Sequence, residues 1–263
     1  MARKLWLSIL VGVLVVMWGV GAALAARPND NRPFIVLAIV NVKEGYEEVA
    51  REELLRLIPL TNREPGCIFY QMHINVGTEE DNYMVENPRK YMFYEIWRSR
   101  EDWDNHMTMS YLESWFKKAE EVCESIDLTL WEKADLPTNP VVPPGELPNP
   151  KEKYTLLALV DVKEGHEDRA WKEMLALVPY THTEPGCMQY DMHVNLDRDT
   201  MARNYRKIMF YENWYNFKAW KVDHMGAEYL VRWFNFAPQV TEKIELTGWK
   251  MIDFEYAPTG KEK

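Results

Sequence analysis

Two matched histidines in this 263-residue sequence have neighbours that suit proton transfer. His106 and His224 are each followed by Met, and a Tyr-Leu pair and a Trp-Phe pair come next in the same order. An imidazole titrates near neutrality, so it can take up and release a proton at physiological pH. The pattern predicts His106 and His224 as general bases. The alternative is a pair of helix histidines that only fix packing.

A second matched pair, His73 and His193, lies on predicted strands. Both alternate with tyrosines, Tyr70 and Tyr190, and so occupy the opposite and more polar strand face. If helices cover the tyrosine face, the two imidazoles point into the interior between two domains. A shared inter-domain cavity there could bind a metal ion or a ligand. Hydrogen-bonded interface histidines are the alternative.

Acidic and aromatic residues supply a candidate binding pocket. Glu95 and Glu212 lie within apolar strands, where an unpaired carboxylate is costly, so each is expected to have a buried partner such as Arg or His. A carboxyl with a raised pKa, acting as acid or base, is the other interpretation. The aromatic residues could line a pocket for a flat substrate or could simply form the core; they are Tyr70, Trp97, Tyr111, Trp115, Tyr190, Trp214, Tyr229 and Trp233.

The sequence predicts neither a cofactor nor a metal site. Gly-rich phosphate loops, nucleotide-binding fingerprints and Ser-His-Asp spacing are absent. Met-His and His-Met pairs would suit copper, but the side chains of adjacent residues diverge in a strand or a helix. Cys67, Cys123 and Cys187 contain no Cys-x-x-Cys spacing. Cys67 and Cys187 fit small buried side chains, and a bridge between them stays an open alternative.

A tandem sequence repeat positions these residues. The segment from Thr61 to Val76 recurs from Thr181 to Leu196 with nine of 16 positions identical, including Glu-Pro-Gly-Cys. Two copies of about 100 residues argue for two similar domains rather than a solenoid. The expected organisation is domain 1 at 33–134, a stiff proline-rich linker at 135–151, domain 2 at 152–252 and a C-terminal tail at 253–263.

Each copy has the order β-α-β-β-α-β. In the first copy a buried strand precedes a helix that Pro59 ends, an alternating strand follows, and a later helix carries the stripe from Trp103 to Trp115. The predicted elements are strand 34–42, helix 47–58, strand 68–76, strand 91–97, a helix after Ser99 and strand 125–131. This order predicts an α+β fold of two ferredoxin-like domains. Their bare sheet faces would pair as an intrachain dimeric α/β-barrel.

The ordered blocks Glu-Pro-Gly-Cys-x-x-Tyr, Phe-Tyr-Glu-x-Trp and His-Met before Tyr-Leu and Trp-Phe resemble the antibiotic biosynthesis monooxygenase (ABM) family. The resemblance covers both copies. It implies a dimeric α/β barrel with a pocket between helices and sheet, near which a histidine commonly stands at the positions of His106 and His224. Characterised members include cofactor-independent oxygenases of quinols and polycyclic phenols, haem-degrading enzymes and proteins of no known activity.

The haem-degrading branch of that family uses an Asn, a Trp and a His at fixed places. Alignment puts His106 where its Trp belongs and Phe116 where its His belongs. Ala38 and Ala158 stand at the Asn position, although Asn41 is close by. The resemblance therefore predicts against haem degradation.

The N-terminus predicts export. Arg3 and Lys4 precede an apolar run at 5–24, and the small residues around Ala25 favour a cleaved signal peptide at 1–25, with an uncleaved membrane anchor as the alternative. The expected location is the periplasm or cell envelope. With 31 basic against 41 acidic residues, a net charge of −10 disfavours nucleic-acid binding.

The N-terminal segment and the family resemblance together imply an exported monooxygenase or oxidase that acts with O₂ on a quinol or polyphenol without a cofactor. Its expected partner is a small aromatic molecule, and further oligomerisation beyond the intrachain pseudo-dimer stays open. The alternative function is a non-catalytic small-molecule-binding or interaction protein of the envelope that keeps the fold.

Overall fold

The fold is an eight-stranded antiparallel barrel with helices outside it. The computed structural model describes residues 32–141 and 152–252, so the predicted signal segment, residues 142–151 of the linker and the tail lie outside the described residues. The strands are β1 (Phe34–Val42), β2 (Cys67–Val76), β3 (Asn87–Trp97), β4 (Cys123–Lys133), β5 (Tyr154–Val162), β6 (Cys187–Leu196), β7 (Arg203–Trp214) and β8 (Thr241–Met251). The helices are α1 (Glu47–Thr61), α2 (Arg100–His106), α3 (Ser110–Val122), α4 (Glu167–Thr181) and α5 (Glu228–Phe236).

The two repeats close one barrel instead of standing side by side. The strands run β1-β3-β2-β8-β5-β7-β6-β4 around a closed sheet, so each repeat contributes four consecutive strands. Two seams join them: β2 pairs with β8 from His73 to Val76, and β4 pairs with β6 from Leu130 to Lys133. Closure satisfies the edge strands of both domains and confirms the predicted pseudo-dimeric barrel.

The barrel interior is filled by side chains from both repeats. Tyr94 and Tyr211 stack at its centre with ring centroids 3.9 Å apart and planes 14° from parallel. Apolar residues surround the stack, among them Leu37, Trp131 and Leu157. The alternate strand residues face outward, where α1 and α3 cover the first repeat and α4 and α5 the second. Each repeat therefore has its own outer core between sheet and helices.

The second helical region differs from the single helix that the aromatic stripe predicts. In the first repeat it is broken after His106, and α3 begins at Ser110. In the second repeat a π-helical turn from Ala219 to His224 precedes α5, and a 3₁₀ turn follows it. The break places Met107 and its neighbours over the outer core rather than in one continuous stripe.

Several predicted boundaries are wrong. Helix α1 continues past Pro59 to Thr61, because a proline in the last turn removes only one N–H and Asn62 still donates its N–H to the Ile58 oxygen at 3.0 Å. β3 begins at Asn87, before the predicted Tyr91, and β4 spans 123–133, longer than the predicted 125–131. All three cysteines are free thiols, so the open alternative of a bridge between Cys67 and Cys187 is not realised. No helix within the described ranges has the length and apolarity to span a membrane.

Candidate active site

His106 occupies the last turn of α2, and that helix is held at its start. Ser99 caps it by accepting the Asp102 N–H at 3.2 Å. The turn at Gly66 lies against the same helix, because a Cβ on Gly66 would come within 2.1 Å of the Asp102 Cβ. This close approach brings Glu64, two residues before Gly66, beneath His106. The repeated Glu-Pro-Gly-Cys turn therefore positions a carboxylate beside the histidine.

Glu64 joins His106 and Tyr111 in one hydrogen-bonded cluster. Its Oε1 lies 2.8 Å from Nδ1 of His106 and also accepts a very short hydrogen bond from the Tyr111 hydroxyl. That hydroxyl lies 3.0 Å from Oγ1 of Thr61 at the end of α1. His106 is 3% exposed and Glu64 10%, so the cluster is largely shielded from bulk water. The cluster therefore contains an imidazole that can act as a base and a carboxylate that orients it.

The carboxylate decides which imidazole nitrogen can act. When Nδ1–H of a neutral His106 donates its hydrogen bond to Glu64, the lone pair of the imidazole lies on Nε2. Among the described residues, no hydrogen bond engages that nitrogen. Burial lowers the pKa of His106, and the Glu64 hydrogen bond and charge oppose this. The imidazole is therefore neutral and basic near neutral pH, while Glu64 stabilises the imidazolium that forms on proton uptake.

The second repeat builds the same cluster from Glu184, His224 and Tyr229. Glu184 Oε2 lies 2.9 Å from Nδ1 of His224, and the Tyr229 hydroxyl donates to Glu184 Oε1 at 2.6 Å. Thr181 lies 2.9 Å from the same hydroxyl, as Thr61 lies beside Tyr111. The barrel thus carries two equivalent clusters, one on each outer face.

A one-residue difference in chain length leaves these clusters unchanged. Three positions separate Trp103 from His106, whereas four separate Trp220 from His224. The extra residue in the second repeat is absorbed by the π-helical turn. In both repeats the imidazole packs on the tryptophan that ends the third strand, with ring centroids 4.5 Å apart and planes at 39°. The position of the histidine is kept although the helix that carries it is not.

Glu95 and Glu212 have a different partner from the one expected. The hydrogen-bond donor is an indole instead of Arg or His: Trp97 Nε1 donates to Glu95 Oε2 at 2.8 Å, and Trp214 Nε1 donates to Glu212 Oε2 at 2.9 Å. An indole satisfies one oxygen without supplying charge, so burial raises the pKa of Glu95 to about 8. Burial also raises the pKa of Glu212 to about 7, and the nearby His224 and Trp214 oppose that rise.

A small pocket of about 40 Å³ lies between the sheet and the helices of the first repeat. Of the predicted substrate-binding residues, Tyr70, Glu95 and Trp115 line it together with His106. The other two have structural contacts instead: Trp97 packs on His106 and bonds Glu95, and Tyr111 holds Glu64. Apolar residues complete the walls, including Ala38, Phe93, Trp103, Met107, Leu112 and Phe116.

The matching aromatic residues of the second repeat are arranged alike. Tyr190 lies 5.6 Å from His224 and 5.1 Å from Phe210, between ring centroids. Trp214 packs on His224, Tyr229 bonds Glu184, and Trp233 is buried in the outer core. Four of the five predicted residues of this repeat thus lie around His224, namely Tyr190, Glu212, Trp214 and Tyr229, and Trp233 belongs to the outer core beside them.

His73 and His193 lie inside the barrel, and each is hydrogen-bonded to a tyrosine of the other repeat. Nε2 of His73 lies 2.9 Å from the Tyr211 hydroxyl, and Nε2 of His193 lies 2.9 Å from the Tyr94 hydroxyl. Burial lowers the pKa of His73 to about 3 and that of His193 to about 4, so both rings are neutral. Each imidazole is an interface hydrogen-bond partner, the alternative that the sequence left open. Within residues 32–141 and 152–252, no group of three His, Cys, Asp or Glu side chains is placed to hold a metal ion.

Sequence reasoning missed Glu64 and Glu184. Both belong to the repeated Glu-Pro-Gly-Cys block, and that identity between copies was the available signal. Because the block forms a turn, no strand or helix periodicity indicates which side chain points inward. The cysteines of the block are not reactive candidates, since burial raises the pKa of Cys67 to about 12 and that of Cys187 further.

The fold and the site define a tandem α/β barrel with two carboxylate-oriented histidines on its outer faces. The antibiotic biosynthesis monooxygenase family matches the sequence at residues 33–118 and again at 153–235. The chain belongs to this family. No curated protein matches the sequence significantly.

Solved structures share the whole double-domain fold. A proposed monooxygenase from Fusobacterium nucleatum superposes with a TM-score of 0.62 at 13% identity, covering 85% of this chain and 94% of that one. An anthrone oxidase-like protein gives a TM-score of 0.61 at 14% identity, with 86% and 93% covered. A proposed monooxygenase from Lactobacillus acidophilus gives 0.51 at 15% identity, with 84% and 94% covered. At these identities the likeness shows the fold alone.

Proposed function

We propose that the protein is a monooxygenase or oxidase that uses O₂ on an electron-rich aromatic such as a quinol, a polyphenol or an anthrone, without a cofactor. The observation that carries the proposal is the Glu64–His106 pair and its copy Glu184–His224, kept in place across a one-residue change in chain length. Family membership and a fold shared with an anthrone oxidase-like protein support the reaction class.

The first step is proton removal by the imidazole. Nε2 of His106 takes the proton of a phenolic hydroxyl or of an acidic ring CH, and Glu64 stabilises the resulting imidazolium through Nδ1–H. The substrate anion transfers one electron to O₂, which gives a substrate radical and superoxide. A hydroquinone completes the reaction as quinone and hydrogen peroxide. An anthrone carbon instead combines with superoxide, takes up a proton and loses water, leaving a carbonyl oxygen derived from O₂.

The apolar walls suit these intermediates, because water would otherwise protonate the anion or quench the radical. Glu95, protonated below its pKa of about 8, is an uncharged hydrogen-bond donor at the inner end of the pocket. A pocket of about 40 Å³ holds roughly one water molecule, so a multi-ring substrate requires α3 to move outward. The helical region is interrupted at residues 107–109, between α2 and α3, and we expect the movement to occur there.

Oxygen uptake by the full chain with a panel of hydroquinones, polyphenols and anthrone tests the proposal. The His106→Ala/His224→Ala double variant is expected to lose about 10²- to 10⁴-fold in rate, the usual worth of a general base. His166→Ala, which alters a histidine outside both clusters, is the matched control. If the double variant retained its oxygen uptake, the assignment of the two histidines as bases would be refuted. If no compound of the panel gave uptake with the parent protein, the proposed enzymatic activity would be refuted.

The alternative function is a non-catalytic binding or interaction protein that keeps the ABM fold. The small pocket favours it, since pockets for drug-sized ligands measure roughly 300–1,000 Å³. Thermal stabilisation by an aromatic ligand without oxygen uptake would support this function.

The location belongs to the same proposal. The apolar run at 5–24 and the small residues around Ala25 support export to the periplasm or cell envelope, by a cleaved signal or as an anchored protein. N-terminal sequencing of the protein from a periplasmic fraction tests this, because cleavage leaves Ala26 as the first residue.

A further inference from the structure

One groove is covered in the second repeat and open in the first. On leaving β4, the chain runs over the second repeat: the Ala134 N–H donates to the Met192 oxygen at 2.8 Å, and Leu136 packs on the outer core. Thr138 Oγ1 then lies 2.7 Å from Nδ1 of His182, and the Val141 N–H donates to the His182 oxygen at 3.0 Å. Residues 134–141 therefore cover this part of α4 and β6.

The equivalent surface of the first repeat has the same framework without the cover. Asn62 corresponds to His182, and each side chain lies 3.1 Å from the carbonyl oxygen of the matched tyrosine, Tyr70 or Tyr190. His182 is only 1% exposed, whereas Asn62 is exposed. An open groove of about 320 Å³ runs beside Asn62 between Ile58, Pro59, Phe69, Tyr70 and Gln71. Next to it, Ile68 is 55% exposed and Phe69 36%, which are high values for large apolar side chains.

The end of β8 leads into this groove as the end of β4 leads into the other. The Ile252 N–H donates to the Met72 oxygen at 3.0 Å, the counterpart of the Ala134 bond to Met192. Gln71 Nε2 donates to the Ile252 oxygen at 2.7 Å, and the Ile252 side chain packs on the outer core of the first repeat. The last described residue therefore already follows the path of the linker.

The sequence beyond Ile252 matches the covering segment. Residues 253–259 read Asp-Phe-Glu-Tyr-Ala-Pro-Thr, and residues 135–141 read Asp-Leu-Pro-Thr-Asn-Pro-Val. Asp stands first, an apolar residue second and Pro sixth in both. The chain runs on to Lys263, so its length suffices.

We infer that residues 253–259 occupy the groove of the first repeat as residues 135–141 occupy that of the second. Phe254 takes the place of Leu136 on the outer core, and the segment covers Ile68 and Phe69. Because Tyr70 lines both the groove and the pocket of His106, the segment forms the outer support of the first active site. Each repeat is thus completed by the strand extension of the other.

Hydrogen–deuterium exchange tests this in the full chain, in a chain ending at Ile252 and in a control chain ending at Thr259. Peptides covering 60–72 are expected to exchange about tenfold faster when the chain ends at Ile252 and unchanged when it ends at Thr259. Peptides covering 180–192 serve as the internal reference for an intact barrel. Full-length Phe254→Asp should reproduce the faster exchange.

Equal exchange of 60–72 in all three chains would overturn the inference. Protection that disappears on dilution, whichever chain is used, would also overturn it and would assign the groove to a second copy of the protein.

Discussion

The two repeats are alike in the side chains around the proposed catalytic histidine and differ at the outer surface just after α1 and α4. Both place the imidazole 4.5 Å from a tryptophan and within 3 Å of a carboxylate, although one helix is α-helical there and the other π-helical. In contrast, His182 is buried under the linker, whereas its counterpart Asn62 is exposed. The backbone has therefore adjusted to preserve the cluster, while the outer surface has diverged.

The repeats also differ in the titration of their buried glutamates. Glu95 has a pKa of about 8 and Glu212 of about 7, with burial as the main cause in both. His224 lies near Glu212 and opposes the rise in its pKa. Two sites of nearly identical geometry can thus respond differently to pH.

Replacing the central stack tests whether the repeats unfold together. Tyr94→Ala removes a ring that stacks on Tyr211 and leaves Nε2 of His193 without its partner. We expect a loss of about 3–5 kcal/mol in the free energy of unfolding, typical of a buried aromatic residue changed to alanine. Urea denaturation should show one cooperative transition that shifts as a whole. Val85→Ala, at a 65% exposed position, should change little. Separate transitions for the two halves would contradict a shared core.

The variants Glu95→Gln and Glu212→Gln test how strongly each buried glutamate makes the free energy of unfolding depend on pH. The unfolded carboxyl ionises near 4.5 while the folded one stays protonated, so the free energy of unfolding falls from about that pH up to the folded pKa, by roughly 1.4 kcal/mol per unit. Glutamine keeps the acceptor for the indole N–H and does not ionise. Both variants should therefore be more stable than the parent at pH 8 and nearly equal to it at pH 4.

The gain at pH 8 should be larger for Glu95→Gln than for Glu212→Gln, because the nearby His224 opposes the rise in the pKa of Glu212. Urea titrations at pH 4, 6 and 8 measure this. Equal gains would show that His224 does not influence Glu212.

Changing the orienting carboxylates one at a time divides activity between the sites. Glu64→Gln should slow the first site about tenfold, because an amide no longer stabilises the imidazolium, and Glu184→Gln should do the same to the second. If both sites work, each single variant keeps about half of the oxygen uptake, and the double variant keeps a tenth. Glu64 also opposes the burial that lowers the pKa of His106, so its loss should move the acid limb of the first site's pH profile to lower pH. One variant with no effect would show that its site is inactive.

Deleting Val222 should have the smallest effect. The change restores the Trp103–His106 spacing in the second repeat, so the π-helical turn can become an ordinary α-helical one. We expect His224 to keep its place, with oxygen uptake within about twofold of the parent and a change under about 0.5 kcal/mol in stability. Deleting Val231, in the middle of α5, is the control and should be severely destabilising. A large loss from deletion of Val222 would show that the π turn is itself required.

The sequence predicts the barrel because its information is periodic. Strand alternation, the helix stripes and the exact repetition of blocks such as Glu-Pro-Gly-Cys specify two βαββαβ units and their pairing. Helix ends are less predictable, since Pro59 lies within the last turn of α1. Glu64 was missed because a turn has no periodicity, and the size of the pocket depends on how Trp103, Met107 and Phe116 pack against the sheet. Contacts between distant segments decide those features.

Covalent joining of the two halves has a consequence for assembly. A barrel made from two separate chains opens when the protein is diluted below its dissociation constant, and any change in one chain appears in both. Here β2 meets β8 and β4 meets β6 at an effective concentration set by the linker. The closed barrel therefore persists at any dilution, and an insertion such as the extra residue before His224 can be accepted by one half alone.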